Sequence, residues 1–234
     1  MTENNIENTN NKKQMSPFSS LPKSKKILTI FNYTICLSLS VVLLGFIIAI
    51  LIFGDPTNRL VACILTLFCF LLPFIFQYIF KTRLTPTLVT IYVVFVTISA
   101  FVGSCLNVNK ILTFFDKIQH FSWGYIACLI GLFYLCKTNE FDKLKPFTII
   151  FIFFAVSMAT ASLWELFEFA GDTFLNQTAQ GTAINNIVPV TDTMTDILVH
   201  FIGSILFTLH YCLDRFTHKN LGITSIINNF KIKY

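Results

Sequence analysis

Charge is scarce in this chain. Asp, Glu, Lys and Arg make up 12% of its 234 residues, whereas apolar residues make up 54% and 27 positions are Phe. Soluble domains keep about 25% of their residues charged, so this balance excludes an ordinary water-soluble fold. Paired cysteines are lacking too. Cys36, Cys63, Cys69, Cys105, Cys128, Cys136 and Cys212 are scattered singly with no C-x-x-C pair, which points to small packing residues rather than a disulfide framework or redox motif. There is no phosphate-binding Gly-rich loop and no G-x-S-x-G nucleophile elbow, which removes the usual nucleotide-binding and serine-hydrolase readings. No internal repeat is evident, so one membrane domain accounts for the chain.

What is present is a series of long apolar runs. Crossing hydrocarbon takes about 20 apolar residues in helical form, at a rise of about 1.5 Å each. Runs at 27–53, 60–80, 86–106, 118–136, 147–170 and 193–213 satisfy this. They are too long for barrel strands and lack polar alternation. The expected fold is therefore all-α, a polytopic transmembrane bundle of six helices. Pro73 lies inside the second run, where a kink is tolerated if a neighbour satisfies the freed carbonyl. The first run is followed by no small-residue cleavage site and reads as a retained helix. Residues 1–26, rich in Asn and other polar residues at their start, read as a disordered cytoplasmic arm, and 214–234 as a cytoplasmic tail lying along the membrane surface.

Orientation follows from the charges between runs. Of the 17 Lys and Arg residues, all but Arg59, Lys110 and Lys117 fall in the terminal segments and in two alternate connections, around Lys81 and Arg83 and around Lys137, Lys143 and Lys145. The positive-inside rule places those segments, and both termini, in the cytoplasm. The net charge of +5 is thus a topological signal, and nothing calls for nucleic acid as a partner. Membrane lipids are the expected neighbours, with basic juxtamembrane residues beside anionic headgroups.

Acidic residues within the runs carry the chemistry. A carboxylate at the centre of a membrane helix costs about 2.5 kcal/mol or more on insertion scales, so one that stays there faces protein, water or a partner. Glu165 and Glu168 stand at i, i+3 on the fifth run, with the small residues Ala161 and Ser157 continuing the same face. On the sixth, Asp192, Asp196 and His200 follow at i, i+4 steps, a stripe of about 12 Å, with Gly203 and Ser204 beyond. The fourth opens with Asp116 and His120, then Gly124, Cys128 and Gly131. Alternating topology brings all three groups to one end, expected to be extracytoplasmic. The connection from Gly171 to Thr191 has no Lys or Arg but includes Phe174, Leu175, Ile184, Ile187 and Val188; it reads as an outer loop or an interfacial lid.

So many acids together require compensating positive charge. A divalent cation, shared protons or a cationic substrate would each supply it. In the metal reading Asp116, His120, Asp192, Asp196 and His200 are candidate ligands, and Glu165 and Glu168 are candidate catalytic general bases. Simpler roles stand beside these. Asp192 suits the N-cap of the last helix, His120 and His200 suit neutral helix-packing imidazoles, Trp123 and Trp164 suit interfacial belts, and His210 and His218 suit the cytoplasmic interface.

The pattern Asp116-Lys117-x-x-His120-Phe121-x-x-Gly124, Trp164-Glu165-x-x-Glu168 and Asp192-Thr193-x-x-Asp196 with Gly203 resembles the uncharacterised bacterial multi-pass family typified by the YjdF inner-membrane protein. It is more distantly similar to VanZ-like proteins. The resemblance covers the second half of the chain and implies a bacterial plasma membrane, with no reaction attached. Two functional classes are open: metal-dependent hydrolysis or transfer on a lipid or lipid-linked envelope substrate, and proton- or cation-coupled solute transport. A non-catalytic membrane subunit is a third.

Overall fold

The computed structural model describes residues 21–55, 58–81, 83–138, 140–180, 189–217 and 219–231. The expected arm before residue 21, His218 and the loop positions Ile184, Ile187 and Val188 lie outside the described residues. The fold is all-α. Among the described residues six helices are long and apolar enough to cross a membrane: α1 Lys23–Phe53, α2 Leu60–Phe80, α3 Pro86–Cys105, α5 Thr113–Lys137, α6 Pro146–Leu175 and α7 Pro189–Phe216. The described residues also form the short helices α4 Val108–Ile111 and α8 Ile223–Lys231 and a 3-10 turn at Phe141–Lys143. Each apolar run is found, and most of the helices outrun the hydropathy boundaries. α5 starts at Thr113 rather than 118 and α6 runs on to Leu175 rather than 170, because backbone hydrogen bonding continues past the point where polar side chains end the apolar run.

Pro73 sits inside α2 without ending it. A proline removes the hydrogen bond to the carbonyl four residues earlier, here that of Cys69. The Tyr92 hydroxyl of α3 donates to that oxygen at 3.0 Å, so a neighbouring helix supplies the missing donor. α3 itself begins with Pro86 at its first turn and widens into π-helical turns over Thr97–Cys105.

The helices pack as two groups. Leu43, Cys63, Phe70 and Val93 are buried between α1, α2 and α3. Leu132, Phe153, Phe207 and Ile223 are buried between α5, α6, α7 and α8. Trp123 of α5 stacks on Phe95 of α3 at 5.0 Å between ring centroids, so this tryptophan joins the groups instead of standing in an outer belt. Leu37, Leu51, Phe53, Phe151 and Leu166 remain exposed, a surface suited to hydrocarbon and not to water.

The tail after α7 is ordered more than its composition indicated. Asp214, 2% exposed, accepts backbone N–H groups from Leu221 at 2.8 Å, Ile223 at 3.0 Å and Thr224 at 3.0 Å, together with the Thr224 hydroxyl. That caps α8. α8 then buries Ile223, Ile227 and Phe230 against the bundle, and Lys231 pairs with Asp142 at 2.7 Å. His210 takes part at this end through Tyr125, whose hydroxyl shares a 2.6 Å hydrogen bond with Nδ1. The starts of α1 and α3 meet here as well, since Lys25 Nζ donates to Thr87 Oγ1 at 2.8 Å.

Candidate acidic and histidine site

The opposite end of the bundle, where α5 and α7 begin and α6 finishes, holds the acidic residues. Two glycines bring the first pair of helices together. A Cβ on Gly124 would fall 2.0 Å from the His200 carbonyl oxygen, and one on Gly203 would fall 2.0 Å from that of Phe121. Only glycine permits backbones this close. Because both helices run the same way, the turns preceding the crossing also face each other, and those turns carry Asp116, Lys117 and His120 on α5 and Asp192 and Asp196 on α7.

Lys117 occupies the centre. Its Nζ lies 2.6 Å from Asp192 Oδ1, 2.7 Å from Asp196 Oδ1 and 3.5 Å from Asp116 Oδ2. Asp196 is fully buried and Asp192 nearly so. One unit of the positive charge that the acids require is therefore built into α5. By charge pattern alone Lys117 counts with Arg59 and Lys110 as one of three basic residues outside the lysine-rich segments. The signal that marks it is its place between Asp116 and His120 on the first turns of a membrane helix, where an unpaired ammonium would be costly.

His120 is the second hub. Its Nε2 lies 3.8 Å from both Asp116 Oδ1 and Asp196 Oδ1, and its Nδ1 lies 3.9 Å from Glu165 Oε1. The imidazole thus joins all three helices. Glu165 is 6% exposed, and neither of its oxygens makes a hydrogen bond of normal geometry among the described residues, the Thr193 side chain being the neighbouring donor. Glu168, one turn nearer the end of α6, is half-buried and accepts from Trp164 Nε1 at 2.8 Å.

His200 stands apart from these carboxylates. It is fully buried, and its Nε2 shares a 2.8 Å hydrogen bond with Ser157 Oγ, which shares a 2.6 Å bond with Ser204 Oγ. The serines read as small packing residues thus form a polar layer beneath the acids. Asp192 lies within the first turn of α7 and its carboxylate is held by Lys117, so its side chain serves the cluster. In the last turns of α6, Asp172 accepts the backbone N–H groups of Ala179 at 2.7 Å and Gln180 at 2.9 Å, and Gln180 Nε2 reaches Thr193 Oγ1 at 2.8 Å. These bonds fix the chain just after α6 to the start of α7.

Three sets of side chains converge closely enough to share an ion, with ligand atoms within 4.8 Å of one another: Asp116, His120 and Glu168; His120, Glu165 and Asp196; Asp116, Asp192 and Asp196. Their fit differs. Divalent metals bind such ligands at about 2.0–2.2 Å, and in the all-aspartate set the Lys117 ammonium already fills that space. The set of His120, Glu165 and Asp196 is buried throughout, combines nitrogen and oxygen donors, and includes two carboxylate oxygens in no hydrogen bond of normal geometry among the described residues. Such a mixed donor set is of the kind that borderline divalent ions take, and its Asp196 also pairs with Lys117.

No curated protein and no solved structure matches the chain. A family model does match, over residues 34–216, reaching well beyond the motif-bearing half to include nearly all of the first three spans. The chain belongs to the family described as "Predicted membrane protein (DUF2238)".

Proposed function

We propose that the acidic end is a divalent-cation site on the outer side of a bacterial cytoplasmic membrane, serving hydrolysis or group transfer on a lipid or lipid-linked envelope substrate. The observation that carries this reading is the convergence of buried His120, Glu165 and Asp196, with neither oxygen of Glu165 in a hydrogen bond of normal geometry among the described residues. A cation there satisfies a buried carboxylate whose near neighbours, His120 at 3.9 Å among them, leave it short of hydrogen bonds. When bound, such an ion supplies a Lewis acid and an activated water. Asp116 stands at the edge of the set, and Lys117 holds Asp192 and Asp196 in register. Glu168, at the rim, accepts a proton from water. The outer location follows from the basic residues gathered at the other end, and the motif resemblance to YjdF-type proteins belongs to the same proposal.

Lys117 favours a second reading. Because its ammonium pairs with three aspartates, the acids can serve a carrier in which a proton or cationic solute competes with lysine. Metal content separates the two. Protein purified in detergent, loaded with zinc or manganese and then dialysed, is compared with Glu165→Gln. Retention by the parent and loss by the variant support the metal site; a parent that retains neither ion overturns it.

A further inference from the structure

At the lysine-rich end, remote from the acids, α1, α2 and α3 enclose a cavity of about 310 Å³ whose wall includes Thr29, Asn32, Tyr33, Phe74, Gln77 and Arg83. Most of its polar groups are occupied. Thr29 Oγ1 donates to the Lys25 carbonyl at 2.8 Å, while Gln77 Nε2 donates to the Pro73 carbonyl at 3.1 Å and its Oε1 accepts from Leu84 N–H at 3.1 Å. Two groups are not. Asn32 is 2% exposed and gives its Nδ2 to the Pro86 carbonyl at 3.1 Å, which leaves Oδ1 buried with no donor among the described residues. Arg83 Nη1 is buried there with no acceptor among the described residues.

Buried polar groups in folded proteins almost always have partners. The complement of this pair is a ligand with an anionic acceptor beside a hydrogen-bond donor. Arginine's planar fork suits phosphate oxygens, and an amide oxygen takes a hydroxyl or ammonium hydrogen. The position of the cavity selects the source. Tyr33 is 55% exposed on the lipid-facing side of α1 and stacks on Phe74 at 4.7 Å, so the wall is part of the surface that touches acyl chains. The volume lies at the small end of ligand pockets, which run from about 300 Å³ upward, and suits a compact headgroup.

We propose that this cavity binds a phospholipid headgroup, with the phosphate at Arg83 and the terminal hydroxyl or ammonium donating to Asn32 Oδ1. Phosphatidylglycerol and phosphatidylethanolamine carry that donor, whereas the trimethylammonium of phosphatidylcholine has none. Delipidated full-length protein is titrated by native mass spectrometry with these three lipids at matched acyl chains, and with soluble glycerophosphoglycerol. The parent is expected to favour phosphatidylglycerol and phosphatidylethanolamine over phosphatidylcholine by about tenfold. Asn32→Ala should abolish that ratio, and Arg83→Gln should weaken all three lipids. Reading each ratio within one variant keeps the result independent of variant stability. Equal binding of the three lipids by the parent overturns the proposal, as does an equal loss in the exposed control Lys219→Ala. Soluble glycerophosphoglycerol binding as tightly as the lipid overturns the membrane source.

Discussion

Gly124 and Gly203 each stand against the backbone of the other's helix, with the His200 and Phe121 carbonyl oxygens where their Cβ atoms would be. This crossing sets the separation of α5 and α7 and allows Lys117 to reach two aspartates. Gly124→Ala or Gly203→Ala should cost about 3 kcal/mol, the upper range for overpacking, because rigid backbone must move. Gly45→Ala, with nothing within 4 Å, should leave stability unchanged. Thermal unfolding in detergent checks this, and equal losses for all three would show that the crossing is not tight.

Removing the Lys117 ammonium leaves Asp192 and Asp196 without their closest cation. Breaking a fully buried ion pair costs about 3–5 kcal/mol, but Lys117 keeps 29% side-chain exposure, so Lys117→Met should lose about 2 kcal/mol after discounting for solvent. Adding Asp196→Asn should recover part of that loss. A double-mutant cycle measures the coupling, and additive losses would show that the pair contributes nothing.

Much of this was legible in the sequence, and the misses have physical causes. The six spans stood out because hydrocarbon demands long apolar runs. The meeting of Asp116, His120, Glu165 and Asp196 followed from helical periodicity and alternating topology. Lys117 did not, because a lysine near a helix end was read as a topological charge rather than as a partner. His200 shared the i, i+4 stripe with Asp196, but periodicity gives a face and not a depth; one turn lower the neighbours are Ser157 and Ser204. The capping of α8 by Asp214 was hidden because it depends on backbone groups, which no side-chain pattern marks.

Asp214→Ala removes the acceptor of three backbone N–H groups. It should cost about 2 kcal/mol and release α8 while leaving the acidic end intact. Hydrogen–deuterium exchange should rise over 223–231 and stay unchanged over 189–200. Unaltered exchange in α8 would assign its docking to Ile223, Ile227 and Phe230 alone.

The proposed orientation predicts that a reporter active only in the cytoplasm gives signal when fused after Lys143 or at Tyr234, and none within Asn176 to Gln180. Strong signal from the latter position would place the acidic end in the cytoplasm.

The most direct test of the metal site is the visible spectrum of the cobalt(II)-loaded protein. The parent and His200→Ala should show the same d–d bands of a nitrogen- and oxygen-ligated ion, because His200 is bonded to Ser157 and lies outside the ligand set. His120→Ala should abolish or shift them, since His120 is the nitrogen donor of the buried set. Bands that persist unchanged in His120→Ala, or no bands in the parent at saturating cobalt, would contradict the assignment.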